Sequence, residues 1–206
     1  APDNNAVVTS IRSAKASGTA ISIEGVSTND YGVVFNYESD KRVIADGGGA
    51  IRVVGETTNA SYGGFIRDTD IAATSGDITL SANAAGFVIN GGVNRLGVSD
   101  AAGVTASSSN ITLIADALNS GDNGHHFDTE TTGGFAWEPY GNAYRNVDSV
   151  LNFDASSTAN DSWIGSGDTQ ELRFTNFTSL GGLTLGKSTA TTAIDMDSAV
   201  DIAGPI

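Results

Sequence analysis

Cysteine is absent from the 206 residues, so the chain has neither a disulfide framework nor a thiolate metal site. That absence fits export through an oxidising compartment without covalent staples. No apolar run approaches the roughly 18 residues that cross a bilayer, so membrane insertion is not expected. No segment reads as a signal peptide, and Ala1-Pro2-Asp3 is expected to be a mature start left after one is removed. Leu, Lys, Glu and Arg, the residues that fill long helices, are scarce. Positive charge is scarce too: 10 basic residues stand against 24 acidic ones, a formal net charge of −14. Residues 1–100 hold 7 basic and 11 acidic groups, and residues 101–206 hold 3 and 13. Such a surface repels nucleic acid and anionic lipid headgroups, so neither is an expected partner. The plain reading of the surplus is a solvated acidic face. No nucleophile elbow, phosphate loop or zinc-protease helix is present. No catalytic residue is assigned, and an enzyme is not expected.

What is present is patterned. Only 17% of residues are charged and 39% are hydrophobic, too apolar and regular for a disordered tail. Ser, Thr, Asn, Asp, Gly and Ala dominate, with Val and Ile spaced among them, which suits short strands joined by tight turns. The stretch from Gly76 to Ile89 shows the unit: an alternating strand, a small-residue turn and a second strand. Ile78 and Leu80 point one way and Asp77 and Thr79 the other, because strand side chains alternate with period 2.

The unit recurs. Apolar strand starts at Ile21, Val33, Val43 and Ile51 are 12, 10 and 8 residues apart. The next turns run from Ile51 to Ile78 and from Ile78 to Ile111, steps of 27 and 33. Near the C-terminus Leu172, Leu183, Ile194 and Ile202 are 11, 11 and 8 apart. Self-similarity at about 30 residues marks a solenoid. Three short strands per coil predict an all-β fold, a parallel β-helix over 18–206 with a lead-in over 1–17, in which inward Ile, Val, Leu and Phe stack coil on coil. Gly and Asn at the corners would supply left-handed bends. A β-sandwich also has many short strands, but its strands need not resemble one another.

The rhythm breaks at about 115–149, which reads as a loop insertion. It holds both histidines and the rings of Phe127, Phe135, Trp137, Tyr140 and Tyr144. Insertions in solenoids emerge on one side and often carry contacts. These five residues are therefore the expected contact surface, a sugar platform or a protein contact, set against the plainer reading that the rings cap the flank of the stack. His125-His126 with Asp128 has the ligand chemistry of a transition-metal site. Adjacent strand residues face opposite ways, however, which favours ordinary loop histidines and no metal. Asp195, Asp197 and Asp201 alternate with apolar residues and give calcium a weak claim; no other cofactor is expected. Asp40-Lys41-Arg42 brings to mind the charged groups of polysaccharide-cleaving β-helix enzymes, but an exposed strand end accounts for it.

Three runs carry a family resemblance: Ser75-Gly-Asp-Ile-Thr-Leu-Ser-Ala-Asn-Ala-Ala-Gly86, Ser109-Asn-Ile-Thr-Leu-Ile-Ala-Asp-Ala-Leu-Asn-Ser-Gly121, and the closing stretch from Ser179 to Ile206. They resemble rungs of the filamentous-haemagglutinin-like exoproteins of Gram-negative bacteria, over most of residues 18–206. The resemblance implies a right-handed parallel β-helix at the cell surface, used in attachment, aggregation or biofilm, and no catalytic residues. It implies an extracellular place, with partners among host or neighbouring-cell glycans and proteins or other copies of the chain. On this reading the sequence is a piece of a longer one. The alternatives are a self-assembling filament subunit, or a polysaccharide lyase or hydrolase on the same scaffold.

Overall fold

In the computed structural model the described residues are 10–35, 41–59, 62–84, 86–91, 93–120, 125–144, 150–155, 162–166, 172–191, 193–196, 200 and 202–206. They form a parallel β-helix. The first lap has β1 (Ser10–Ser13), β2 (Thr19–Ser27) and β3 (Val33–Phe35). The second has β4 (Lys41–Ala45), β5 (Ala50–Thr57) and β6 (Gly64–Arg67). The third has β7 (Thr69–Ala73), β8 (Ile78–Ala82) and β9 (Gly86–Asn90), and the fourth β10 (Val93–Gly97), β11 (Ile111–Ile114) and β12 (Ala117–Ser120). The fifth opens with β13 (His126–Thr129) and β14 (Gly134–Glu138). A hairpin, β15 (Val150–Ala155) and β16 (Ser162–Ser166), separates it from β17 (Leu172–Phe174) and β18 (Gly182–Leu185), and β19 (Ala193–Met196) follows.

Like strands of successive laps pair side by side in three sheets. Sheet A runs β1-β4-β7-β10-β13-β17-β16-β15-β19, sheet B β2-β5-β8-β11-β14-β18, and sheet C β3-β6-β9-β12. The expected register is present in sheet B. Ile21 pairs with Ile51, Ile51 with Ile78 and Ile78 with Ile111, and the column continues to Phe135 and Leu183. A second inward column runs Ile23, Val53, Leu80, Leu113, Trp137, Leu185. Each lap rests its apolar residues on the lap below, so the core is continuous along the stack.

The core changes character along its length. Laps two to four fill it mainly with Ile, Val and Leu, Phe87 apart, and from β13 to β18 rings join the leucines. Phe135 meets Phe174 edge-on at 4.9 Å between centroids, and Phe174 meets Phe177 at 5.5 Å. This corrects the insertion expected at about 115–149. β12, β13 and β14 lie in that stretch and pair in register with the strands below them. The lap there is short, and its inward positions are aromatic, so a search for recurring aliphatic residues loses it. The excursion lies later, between β14 and β17, where β15 and β16 turn sheet A antiparallel: β16 runs against β17, and β15 against β16. β19 then pairs with β15, so Ile194 does not resume the three-strand lap that its spacing suggests.

Corners are built from small polar residues that satisfy the backbone of the neighbouring lap. Ser107 and Ser109 hydroxyls donate to the Ala73 carbonyl at 2.7 and 3.0 Å, and the Thr131 hydroxyl donates to Ser109 O at 2.7 Å. The Asn83 amide accepts from Thr57 N at 2.8 Å and donates to Thr57 O at 2.9 Å. Buried carbonyls and amides need such partners, which accounts for the Ser, Thr and Asn content. Gly76 serves here through close approach rather than a left-handed bend: a Cβ would lie 2.1 Å from Gly49 O. Gly64 makes room for a ring in the same way, since a Cβ there would lie 2.4 Å from Phe87.

The fourth lap is long because 98–110 folds back over sheet A. Val104 packs with Ile44 and Ala72 in a second, small apolar cluster on the outer side of that sheet.

Candidate functional site

The five aromatic residues expected to make a contact surface do not share one. Phe127, Phe135, Trp137 and Tyr144 are 0, 2, 1 and 3% exposed, and Tyr140 alone, at 43%, reaches solvent. Period-2 alternation explains this. In β14, Phe135 and Trp137 are inward while Gly134, Ala136 and Glu138 are partly exposed. The Trp137 indole N–H donates to Ala115 O at 2.9 Å, and the Tyr144 hydroxyl donates to Trp137 O at 2.5 Å. The two rings meet edge-on at 5.3 Å. Among the described residues sheet C ends at β12, and both rings belong to the continuous core. Burial pushes the Tyr144 phenol well above its ordinary value, and the Glu138 charge adds to that.

Solvent meets three sheet faces of different chemistry. On sheet A, Arg42, Asp70, Arg95, Asp128 and Arg173 stand in one outward column, alternating in sign from lap to lap. Arg95 Nη1 is 3.6 Å from Asp70 Oδ1. Arg173 Nη2 donates to Asp128 Oδ2 at 2.7 Å, while its Nε lies 2.6 Å from Oδ1 without the alignment for a second hydrogen bond. Asp70 also accepts from the Ser99 hydroxyl of the folded-back loop at 2.5 Å. Asp128 has His126 Nε2 at 2.9 Å from Oδ1. Burial alone would raise the Asp128 carboxyl, but the His126 hydrogen bond and the Arg173 guanidinium together outweigh it and hold it below the usual carboxylate value.

The histidine pair therefore resolves into one structural contact. His126 and Asp128 are two apart in β13 and share a face. Among the described residues no group of three or more His, Cys, Asp or Glu side chains is placed to hold a metal ion. The calcium expectation falls on Asp197 and Asp201, which lie outside the described residues, and on Asp195, whose side chain does too. Asp40 lies outside them as well. Lys41 is no exposed strand end: it is 6% exposed at the start of β4, in register with Thr69.

The outer column of sheet B is mostly hydroxylated: Ser22, Thr79, Thr112 and Thr184, with Ala136 between the last two and Arg52, ion-paired to Glu24, between the first two. At its far end a shallow groove of about 310 Å³ lies over Thr112, Ala136 and Thr184, beside Pro205 and Ile206.

The outer column of sheet C is apolar: Val34, Phe65, Val88, then Asn119. Tyr31 stacks obliquely on Phe65 at 5.4 Å, and Tyr62 Oη accepts from the Asn119 amide at 2.5 Å. Reading by sequence overlooked this face because Tyr31, Tyr62 and Phe65 are scattered, one or two per lap, whereas the eye goes to rings clustered in sequence. The signal was there: a Tyr-Gly pair stands at Tyr31-Gly32 and again, one lap on, at Tyr62-Gly63.

No protein-family model, curated protein or solved structure matches the chain.

Proposed function

We propose that this chain is a rigid segment of an extracellular, cell-surface adhesin, a β-helical rod whose work is mechanical. It holds contact faces away from the cell in attachment, aggregation or biofilm, and carries out no catalytic step. The observation that carries this reading is the unbroken Ile21–Leu183 column through six strands of sheet B. A stack in which every lap is paired and packed on the next resists bending and offers proteases few openings. An acidic surface keeps such a rod soluble.

Beads coated with the purified chain should be retained on epithelial or bacterial cell layers several-fold above albumin-coated beads. Retention equal to albumin on both would overturn the adhesive reading.

Assembly into a filament is the second reading. Among the described residues β2 and β3 end their sheets as parallel strands, and such edges are templates for another copy. The antiparallel β16 works against it, since it lies between β17 and β15 and interrupts the parallel lap repeat of sheet A that copies stacked end to end would continue. Electron microscopy of the purified chain separates the two: isolated rods fit the adhesin segment, ordered fibres the filament.

A further inference from the structure

We propose that the outer face of sheet C is a binding strip for a neutral oligosaccharide. The proposal rests on the adhesive reading above and supplies its ligand class. The strip consists of Tyr31, Val34, Tyr62, Phe65, Val88 and Asn119. Val34 is 49% exposed and the other five are partly exposed.

Tyr62 starts in the second lap, and its hydroxyl meets Asn119 in the fourth. Its side chain therefore crosses the position of β9 and is held along the stack. Tyr31 and Phe65 form a ring pair on the same face, tilted by 55°. Ring faces with one hydroxyl and one amide at hand are the groups that recognise a sugar. The rings take its C–H face, and the polar pair takes its hydroxyls. The lap repeat of roughly 4.8 Å is close to the length of one pyranose in an extended chain, so successive sugars would meet successive strands.

Charge and area narrow the occupant. The column Val34, Phe65, Val88, Asn119 has no charge, whereas sheet A presents its Arg–Asp ladder and sheet B presents Glu24 and Arg52. Charge lies only at its margins: the Asp30 carboxylate accepts from Tyr31 N at 2.8 Å, and Arg67 and Asp68 pair at 3.5 Å. A chain of net charge −14 repels anionic polymers, so the ligand is neutral. Four short strands give a face on the order of 250 Å². Two such faces together would bury about 500 Å², well short of the roughly 1,200 Å² of stable protein–protein contacts. A second copy of the chain is therefore disfavoured, and a few sugar rings fit.

The test is affinity electrophoresis of the whole chain in gels containing dextran, laminarin, mannan or xyloglucan, with alginate as the anionic control. Retardation is expected in at least one neutral gel and not in alginate. Tyr31→Ala should weaken it by roughly tenfold, as losing one aromatic stacking contact does in nucleic-acid binding. Val34→Asp, at an exposed position where the fold tolerates it, should abolish it with an unchanged melting temperature. No retardation in any neutral gel, retardation in alginate alone, or retardation unchanged in both variants overturns the proposal. So does a concentration-dependent dimer that Val34→Asp dissolves, since the strip would then belong to a second copy. Beads coated with Val34→Asp that still adhere like wild type would overturn the strip and leave the adhesive reading standing. Wild-type beads that fail to adhere, while neutral gels retard the chain, would do the reverse.

Discussion

Asp128 on sheet A gathers His126 on its own strand and Arg173 on the next, with Arg95 in register below. Its folded pKa is depressed. The stability it contributes is therefore present above the unfolded carboxylate value of about 3.9 and is lost as pH falls through the lower folded value. Asp128→Asn should cost about 1–3 kcal/mol near neutral pH, by chemical denaturation, because it strips a charged acceptor from a half-buried guanidinium. The variant should also lose part of the wild type's decline below about pH 4. Tyr144 has the opposite sign. Its pKa is raised, so its contribution is complete below the unfolded value of about 10 and is lost as pH rises towards the folded one. Alkaline unfolding monitored by circular dichroism should therefore be shallower in Tyr144→Phe than in wild type. Neither residue was legible in the sequence for the role it has. By sequence His126 is an ordinary loop histidine beside Asp128 and Tyr144 an expected contact residue, because local spacing shows neither the Arg173 that arrives from the next lap nor the interior that Tyr144 fills.

β14 shows how an element can be plain in local pattern and hidden in the larger one. Gly-Phe-Ala-Trp-Glu alternates cleanly, yet it follows β11 sooner than β11 follows β8, and it puts rings where earlier laps put Ile and Leu. Trp137→Ala should destabilise the fold by about 3–5 kcal/mol in urea, since the indole is 1% exposed and its loss leaves a large cavity. A contact-surface tryptophan would lose little stability. The corner before β8 makes a matching demand on backbone space. Gly76→Ala should cost about 1–3 kcal/mol, because the added methyl must displace the Gly49 carbonyl. The aliphatic strands β2, β5, β8 and β11 were all legible because each lap repeats the same alternation at nearly the same interval. The β15–β16 hairpin was not, since nothing in a strand's own residues states whether its neighbour runs parallel or antiparallel.

At the scale of the whole molecule, one winding rule produces three faces. Each lap brings residues far apart in sequence within a strand spacing, so Arg42, Asp70, Arg95, Asp128 and Arg173 become a charge ladder though a full lap or more of chain separates each from the next. The same rule lines up the hydroxyls on sheet B and the apolar strip on sheet C. Composition foretold the acidic, cysteine-free, many-stranded stack. It could not foretell how charge is sorted among the faces, because that depends on the register between laps, and a slip of one residue would exchange inside for outside. The account stands on that register. Its most direct test is a methyl nuclear Overhauser spectrum of the Ile-labelled chain. Cross-peaks linking Ile51 to both Ile21 and Ile78, and Ile78 to Ile111, are the predicted result. A folded chain whose isoleucine methyls lack those contacts, and instead join strands consecutive in sequence as a sandwich would, contradicts the stack and everything built on it.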